Sequence, residues 1–284
     1  MTATTITSTA VSSSNTRKML NKVPQVTLFF WVIKILATTV GETAADFLNT
    51  KLKFGLTKTT LVMGAFLAIA LLFQFRLRSY KPAIYWLAVV LMSVFGTLVT
   101  DNMVDNFHIT LWTSTGVFLV LMLATFAAWY ASEKTLSIHS ITTTKREAFY
   151  WLTILFTFAL GTASGDLVAE KLSLGYWKSA LAFATIIILM YAAHKKLGLN
   201  AVLAFWIAYI ITRPLGASIG DYLSQDKAVG GLELGTTITS AIFLSVILAV
   251  VTFVSLTKKD ATPIGGRAQT TRAVGYDIGG ADAG

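Results

Sequence analysis

Four aspartates recur at one position of a repeated sequence pattern. Each follows a tryptophan by fifteen residues and a glycine by five, so that W-x9-G-x4-D occurs four times without a gap. The four are Asp46, Asp101, Asp166 and Asp221. Carboxylates bind hard cations or carry protons, and in an apolar segment they are costly unless they face a cavity or a partner. The recurring acids are therefore the first candidates for function.

Three more carboxylates lie one helical turn from these aspartates. Glu42 precedes Asp46 by four residues, whereas Asp105 and Glu170 follow the aspartates of the second and third repeats by four. Residues four apart share a helix face, and clustered carboxylates repel one another unless a cation or a proton lies among them. The pattern predicts a cation or proton site. Oxygen ligands suit Mg²⁺, Mn²⁺ or Ca²⁺, but the sequence does not select a metal over proton relay.

A structural interpretation competes with this one. A polar loop begins a few residues after each aspartate, so these carboxylates are also expected to cap helix ends or to bond loop backbone. The fourth repeat has Ala217 and Gln225 where the others carry acids, which makes the predicted cluster asymmetric.

Two basic residues fall within the apolar segments, and both are candidate countercharges. Arg213 is expected to pair with an acid of a neighbouring repeat or to bind an anionic substrate. Lys34 follows Trp31 by three residues and is expected to extend its amine to the cytoplasmic interface.

Glycines and tryptophans recur with the aspartates. Small residues four apart let helices approach closely in lipid, which predicts helix packing at Gly41, Gly96, Gly161, Gly165, Gly216 and Gly220. The first helices of the repeats would then pack centrally and bring the aspartates towards one axis. The tryptophans fit an aromatic belt at the membrane interface, and they are Trp31, Trp86, Trp151 and Trp206.

Composition places the chain in a membrane. Hydrophobic residues make up 55% of its 284 residues and charged residues only 13%, whereas soluble chains carry about a quarter charged residues. Continuous apolar runs near 20 residues favour helices, since only helices or closed barrels satisfy the backbone in lipid. The prediction is an all-α integral membrane protein with eight transmembrane helices, at about 26–48, 58–76, 83–104, 111–131, 149–169, 178–194, 202–223 and 236–256. The absence of cysteine excludes disulfides and thiolate metal sites.

The tryptophan spacings of 55, 65 and 55 residues describe a duplicated pair of repeats with a longer linker in the middle. The predicted divisions are a disordered tail (1–25), repeat 1 (26–82), repeat 2 with the linker (83–148), repeat 3 (149–201), repeat 4 (202–257) and a second disordered tail (258–284).

Lysine and arginine placement predicts the orientation. The ends and the loops between repeats carry fifteen of these residues, against six in the loops within repeats. Positive charge collects on cytoplasmic loops, so both termini are expected in the cytoplasm of a bacterium, with the protein in its inner membrane. The net charge of +9 is then an orientation signal and not a sign of nucleic-acid binding. Two spans per repeat would relate the repeats by an axis along the membrane normal.

Four tandem two-helix units with a recurring tryptophan resemble an uncharacterised bacterial family of membrane-anchored proteins built on a four-copy repeat of unknown function. The resemblance covers about residues 26 to 256. It implies the topology but no substrate.

The leading functional hypothesis is a small secondary transporter for a cation or for a cationic or small metabolite, driven by proton exchange. A non-transporting assembly or sensing protein with structural aspartates is the alternative, followed by a passive channel. No phosphate loop, HExxH or nucleophile elbow is present, so an enzyme is not expected, although paired aspartates leave an intramembrane enzyme as a minor alternative. The expected partners are the bilayer and a small cation or proton, with no cofactor and no nucleic acid; the sequence predicts no oligomeric state.

Overall fold

The structure is a computed structural model that describes residues 21–51 and 55–260. This part of the chain contains eight long α-helices and no strand. The helices are α1 (Leu28–Asp46), α2 (Leu56–Arg76), α3 (Pro82–Asp101), α4 (Leu111–Glu133), α5 (Thr144–Asp166), α6 (Tyr176–Leu197), α7 (Ala201–Ser224) and α8 (Thr236–Thr257). All eight are long and apolar enough to cross a membrane, which confirms the predicted all-α class and the helix number.

The largest difference in helix bounds is at the start of α5. The prediction began this helix at residue 149, but it begins at Thr144 because the hydroxyl of Thr143 accepts a hydrogen bond from the backbone N–H of Arg146 at 3.2 Å. A threonine cap satisfies one of the free N–H groups of the first turn, so the polar residues 144–148 are helical despite their composition.

The first helices of the repeats form a closed ring. Helix α1 packs on α3, α3 on α5, α5 on α7, and α7 returns to α1; we call these four the ring helices. Each outer helix packs on the ring helix of the following repeat: α2 on α3, α4 on α5, α6 on α7, and α8 on α1. The ring therefore closes on itself, and the outer helices join each repeat to the next.

The same close contact occurs at all four ring interfaces. In each repeat the glycine ten residues after the tryptophan faces the residue seven after the tryptophan of the next repeat. A methyl group on these glycines would lie 2.5 to 2.8 Å from a Cβ atom of the neighbouring helix, and the pairs are Gly41–Ser93, Gly96–Phe158, Gly161–Arg213 and Gly216–Thr38. Only glycine permits this approach. Gly220 and Gly165 lie at the same interfaces with looser contacts, at 3.3 Å from Glu42 and 3.6 Å from Pro214.

The predicted disordered tails are too long. Residues 1–20 and 261–284 lie outside the described residues, but Lys22 is buried and pairs with Glu147 at 2.6 Å, and it also donates to the carbonyl of Phe75 at 3.1 Å. Gln74 donates to the second oxygen of Glu147 at 3.1 Å. A charged residue is buried only where it is paired and hydrogen-bonded, so this segment belongs to the packed structure.

The C-terminal end of the described residues also packs against the segment that precedes α1. The backbone N–H of Gln25 donates to the carbonyl of Asp260 at 2.9 Å, and the hydroxyl of Tyr80 donates to the Asp260 carboxylate at 2.5 Å. Burial raises the pKa of the Asp260 carboxyl above its ordinary value. Asp260, which the prediction assigned to the C-terminal tail, is therefore buried in packed contacts.

The ring contacts predict a contrast between two glycine-to-alanine substitutions. Gly41→Ala places a methyl group 2.9 Å from the backbone carbonyl carbon of Ser93, so α1 and α3 must separate, at a cost of about 1–3 kcal/mol. Gly116→Ala is the control, because a methyl group there meets no atom within 4 Å. Thermal unfolding in detergent should show a lower melting temperature for Gly41→Ala only. Equal melting temperatures would contradict the close contact.

Candidate functional site

One face of each ring helix points to the inside of the ring. It carries the residues 3, 7, 11 and 15 positions after the tryptophan, which share a face because residues four apart are neighbours on a helix. The residues at the first three positions are buried in all four repeats: Lys34, Val89, Ile154 and Tyr209; Thr38, Ser93, Phe158 and Arg213; Glu42, Thr97, Thr162 and Ala217. The aspartates occupy the fourth position. Each position contributes one side chain from each repeat, so the four positions form four layers of side chains along the ring.

The aspartate layer opens into a cavity of about 270 Å³, which we call the acidic cavity. All seven carboxylates singled out in the sequence line it, and they are Glu42, Asp46, Asp101, Asp105, Asp166, Glu170 and Asp221. Because the aspartates stand at the C-terminal ends of the four ring helices, these helices run in the same direction. Asp105 and Glu170 are exposed, whereas Glu42 and Asp221 are buried, so the cavity extends from the surface into the interior of the ring.

A π-helical turn follows the aspartate in the first three repeats. These turns span Phe47–Lys51, Asn102–Asn106 and Leu167–Lys171, and they bring Asn49, Asp105 and Glu170 to the cavity wall. A π turn widens the helix and is frequent at functional sites. In the fourth repeat α7 ends at Ser224 without such a turn, and Gln225 lines the cavity in place of an acid. The amide of Gln225 donates to Asp46 at 3.4 Å and joins the fourth repeat to the first.

Arg213 does not line the acidic cavity itself but lies beneath it, where it pairs with Glu42 of the cavity wall. We call Arg213 and its partners Thr97 and Thr162 the floor. The side chain of Arg213 is fully buried, and its Nη2 atom lies 3.1 Å from Oε2 of Glu42. The same nitrogen donates to the hydroxyls of Thr97 and Thr162, the latter at 2.7 Å, while Nη1 donates to the carbonyl of Thr38 at 3.3 Å. The guanidinium therefore contacts three ring helices besides its own. This arrangement pairs Arg213 with an acid of the neighbouring first repeat.

Carboxylates predominate among the side chains that line the acidic cavity. Seven of them line it, and Glu42 among these is paired with Arg213. Walls of one charge sign raise the local concentration of the opposite ion. Rings of Asp and Glu have this role in cation-selective pores.

Lys34 does not reach the end of its helix, so the prediction of an interfacial amine is wrong. Its side chain is fully buried, with Nζ 4.2 Å from the ring centroid of Tyr209 and 4.5 Å from that of Phe158. The helix carries it on the inner face, where the aromatic rings hold the amine by cation–π contact. Within the described residues Lys34 forms no ion pair, so it is not a countercharge for the carboxylates.

The repeated tryptophans are packed inside the protein and do not form a lipid-facing belt. Trp86, Trp151 and Trp206 are at most 4% exposed, and only Trp31 is half-buried. They join the tyrosines in an aromatic cluster in which the ring of Trp151, for example, lies 5.5 Å from that of Tyr85. The belt prediction failed because hydropathy does not distinguish the inner face of a helix from its lipid face. Trp112 and Trp177, in contrast, are exposed.

The hydrogen bonds give little support to the alternative interpretation, in which the aspartates cap helix ends or bond loop backbone. In the described ranges, the carboxylates of Asp101, Asp166 and Asp221 accept no hydrogen bond from loop backbone. Across the same ranges, no group of three or more His, Cys, Asp or Glu residues is arranged to hold a metal ion directly. The carboxylates surround a space without converging on a point.

Sequence reasoning missed the threonines of the floor and the neutral residues of the wall. Thr97 and Thr162 stand eleven residues after their tryptophans, at the position that Glu42 occupies in the first repeat. Asn49, Val104 and Leu111 also line the acidic cavity. An alignment of the four repeats at every fourth residue would have found the threonines, whereas the π turns that position Asn49 and Val104 leave no comparable pattern.

The fold and the cavity define an all-helical class of protein, in which four tandem two-helix repeats each contribute one aspartate to a shared cavity. The chain belongs to the family described as Repeat of Unknown Function (DUF347), whose family model matches it four times in succession, at residues 29–80, 84–135, 149–198 and 204–260. This confirms the resemblance noted from the sequence. No curated protein and no solved structure matches the chain.

The floor predicts a strong dependence of stability on the buried ion pair. Arg213→Gln leaves Glu42 buried without a positive partner, and loss of one member of a buried pair costs about 3–5 kcal/mol. The double variant Glu42→Gln/Arg213→Gln removes both charges and should be more stable than Arg213→Gln alone. Lys227→Gln breaks only the exposed pair with Glu233 and should change stability by less than about 1 kcal/mol.

Chemical unfolding in detergent measures these differences. The single variant Glu42→Gln completes the comparison. If the stability lost in the double variant equals the sum of the losses in Glu42→Gln and Arg213→Gln, then Glu42 and Arg213 do not interact.

Proposed function

We propose that the chain is a multi-pass protein of the bacterial cytoplasmic membrane, with both termini in the cytoplasm, and that it transports a cation in exchange for protons. Eight apolar helices of membrane-spanning length support the membrane assignment. The excess of lysine and arginine at the termini and between repeats supports the orientation. The observation that carries the transport proposal is the acidic cavity, which is exposed at Asp105 and Glu170 and lies above the buried Arg213–Glu42 pair.

The size of the cavity bears on the kind of cation. A water molecule occupies roughly 30 Å³ of liquid, and the cavity of about 270 Å³ exceeds the space that a bare ion fills. Its walls carry carboxylate and amide oxygens around this space. A hydrated metal ion or a small organic cation, held by several carboxylates at once, fits this description best.

Proton coupling follows from the same carboxylates. A carboxylate that releases a proton gains the charge that binds a cation, so protons and cations compete for the cavity. If the cavity opens alternately to the two sides of the membrane, protons replace the cation that leaves on one side, and the charge among the buried acids stays balanced. Clusters of acids within the membrane are typical of proton relays in transporters.

The floor separates this proposal from a passive channel. Between the acidic cavity and the opposite end of the ring, the interior is filled by Arg213, Phe158, Lys34 and Tyr209, all fully buried. Passage therefore requires this part of the ring to rearrange, and the Arg213–Glu42 pair is the contact that must open. We assign Arg213 the role of a gate that is tethered to the protein and competes with the transported cation for Glu42.

Flux measurements with two matched aspartate variants test the proposal. Purified protein is reconstituted in liposomes that contain a pH-sensitive dye, and Na⁺, K⁺, Mg²⁺, Mn²⁺ and a small diamine are added in turn. We expect at least one of these cations to drive protons across the membrane. Asp101→Asn and Asp221→Asn should abolish this exchange, because each removes a carboxylate from the cavity without changing its shape.

Asp226→Asn is the control, since Asp226 is an exposed residue outside the cavity and should leave the exchange at the wild-type rate. If no cation moves protons, and the cavity variants alter only the melting temperature, the protein is a non-transporting membrane subunit with structural aspartates. Product formation from a substrate in detergent, without any gradient, would instead indicate an enzyme.

A further inference from the structure

A second cavity lies at the opposite end of the ring from the acidic cavity. It has a volume of about 610 Å³ and lies between the end of α6, the start of α7, the start of α1 and the linker between the two halves of the chain. Specific ligand pockets have volumes of roughly 300–1,000 Å³, so this cavity has the size of a ligand site. The proposed transport makes no use of it.

The additional residues of the central linker build one wall. This connection makes the spacing between Trp86 and Trp151 longer than the other two tryptophan spacings, and its residues Leu136, Ser137, Ile138 and His139 line the cavity. The indole N–H of Trp206 donates to the carbonyl of Leu136 at 2.9 Å and fixes the linker against α7. The longer linker thus builds a cavity wall for which the shorter connections between the other repeats have no equivalent residues.

The cavity joins a polar rim to an apolar interior. Its rim carries Lys195, His194 and His139, and no carboxylate lines the cavity. Lys195 and His139 are exposed. His194 must donate from Nδ1 to the carbonyl of Leu199 at 2.7 Å, because that oxygen only accepts, and the Nε2 atom of the neutral ring is then an acceptor that suits a hydroxyl group of a ligand. The rim therefore offers one fixed positive charge and two imidazoles.

The apolar interior extends away from this rim along the helices. Ile187 and Ile188 of α6 lie eight and seven residues before Lys195, which corresponds to about 10–12 Å of helix rise. Trp31 and Phe205 face the cavity from the ring helices. Trp31 is the most exposed of the four repeated tryptophans, and it is the one that borders this cavity.

We propose that this cavity binds an anionic phospholipid, with its phosphate at Lys195 and His139, a headgroup hydroxyl at His194, and one acyl chain along Ile187, Ile188 and Phe205. Charge complementarity identifies this occupant, since a rim with lysine and no carboxylate fits an anionic headgroup and the apolar interior fits a hydrocarbon chain. Basic pockets between helices on the cytoplasmic side bind such lipids. The proposal depends on the membrane assignment and orientation proposed above, and is independent of transport.

Native mass spectrometry of the full chain in detergent tests this site. The protein is titrated with dioleoylphosphatidylglycerol and, separately, with dioleoylphosphatidylcholine, which has the same chains and no net charge. We expect the phosphatidylglycerol complex to survive a higher collision energy than the phosphatidylcholine complex. Lys195→Ala should weaken phosphatidylglycerol binding about fivefold, whereas its neighbour Lys196, which does not line the cavity, should be replaceable by alanine without loss.

Ala204→Phe provides a second variant that leaves the charges unchanged. Ala204 lines the cavity, so a phenyl ring there should fill it and displace the acyl chain. Equal retention of the two lipids, equal losses for Lys195→Ala and Lys196→Ala, or full binding by Ala204→Phe would each overturn the proposal. Asp101→Asn should bind phosphatidylglycerol like the wild type, so a failure of transport and a failure of lipid binding are distinguishable.

Discussion

The close approach of four helix backbones at glycine is the constraint on which the rest of the structure depends. Each ring helix meets the next at the same two positions of the repeat, a glycine on one side and the residue seven after the tryptophan on the other. The identical contact fixes the register of all four helices. Any residue at one position of the repeat therefore lies at the same height in the ring as its three equivalents. The aspartates surround one cavity because the glycine contacts align the four helices.

Electrostatics then distinguishes the two ends of the ring. At one end seven carboxylates surround a cavity, and below them a single buried guanidinium pairs with Glu42 and is held by threonines from two other repeats. The symmetry is broken at the buried charges beneath the aspartates, because only the fourth repeat supplies Arg213 and only the first supplies Glu42 and Lys34. Four similar helices thus build one buried charged pair, whereas identical repeats would place four further like charges together at each of these positions.

The sequence predicted the architecture better than the environment of individual side chains. Apolar length predicted eight helices, and the recurring pattern predicted four equivalent units, because both signals depend on the backbone and on repetition. Lys34 and Trp86 were misplaced because an apolar segment appears the same in sequence whether a residue faces lipid or the inside of the ring. Thr97 and Thr162 were missed since a threonine in a helix is unremarkable until its partner Arg213 is known, and the packing of Lys22 against Glu147 joins residues too distant in sequence to be inferred.

We propose that the ring gathers its carboxylates in order to hold a cation. Calorimetric titration of the detergent-solubilised protein with Na⁺, K⁺, Mg²⁺, Mn²⁺ and a small diamine measures this binding, with the wild type compared with the double variant Asp101→Asn/Asp221→Asn. We expect saturable binding of at least one of these cations, weakened on acidification because protons compete for the same oxygens, and lost in the double variant. A protein that binds none of them, or a double variant that binds as the wild type does, would rule out a cation site in the acidic cavity.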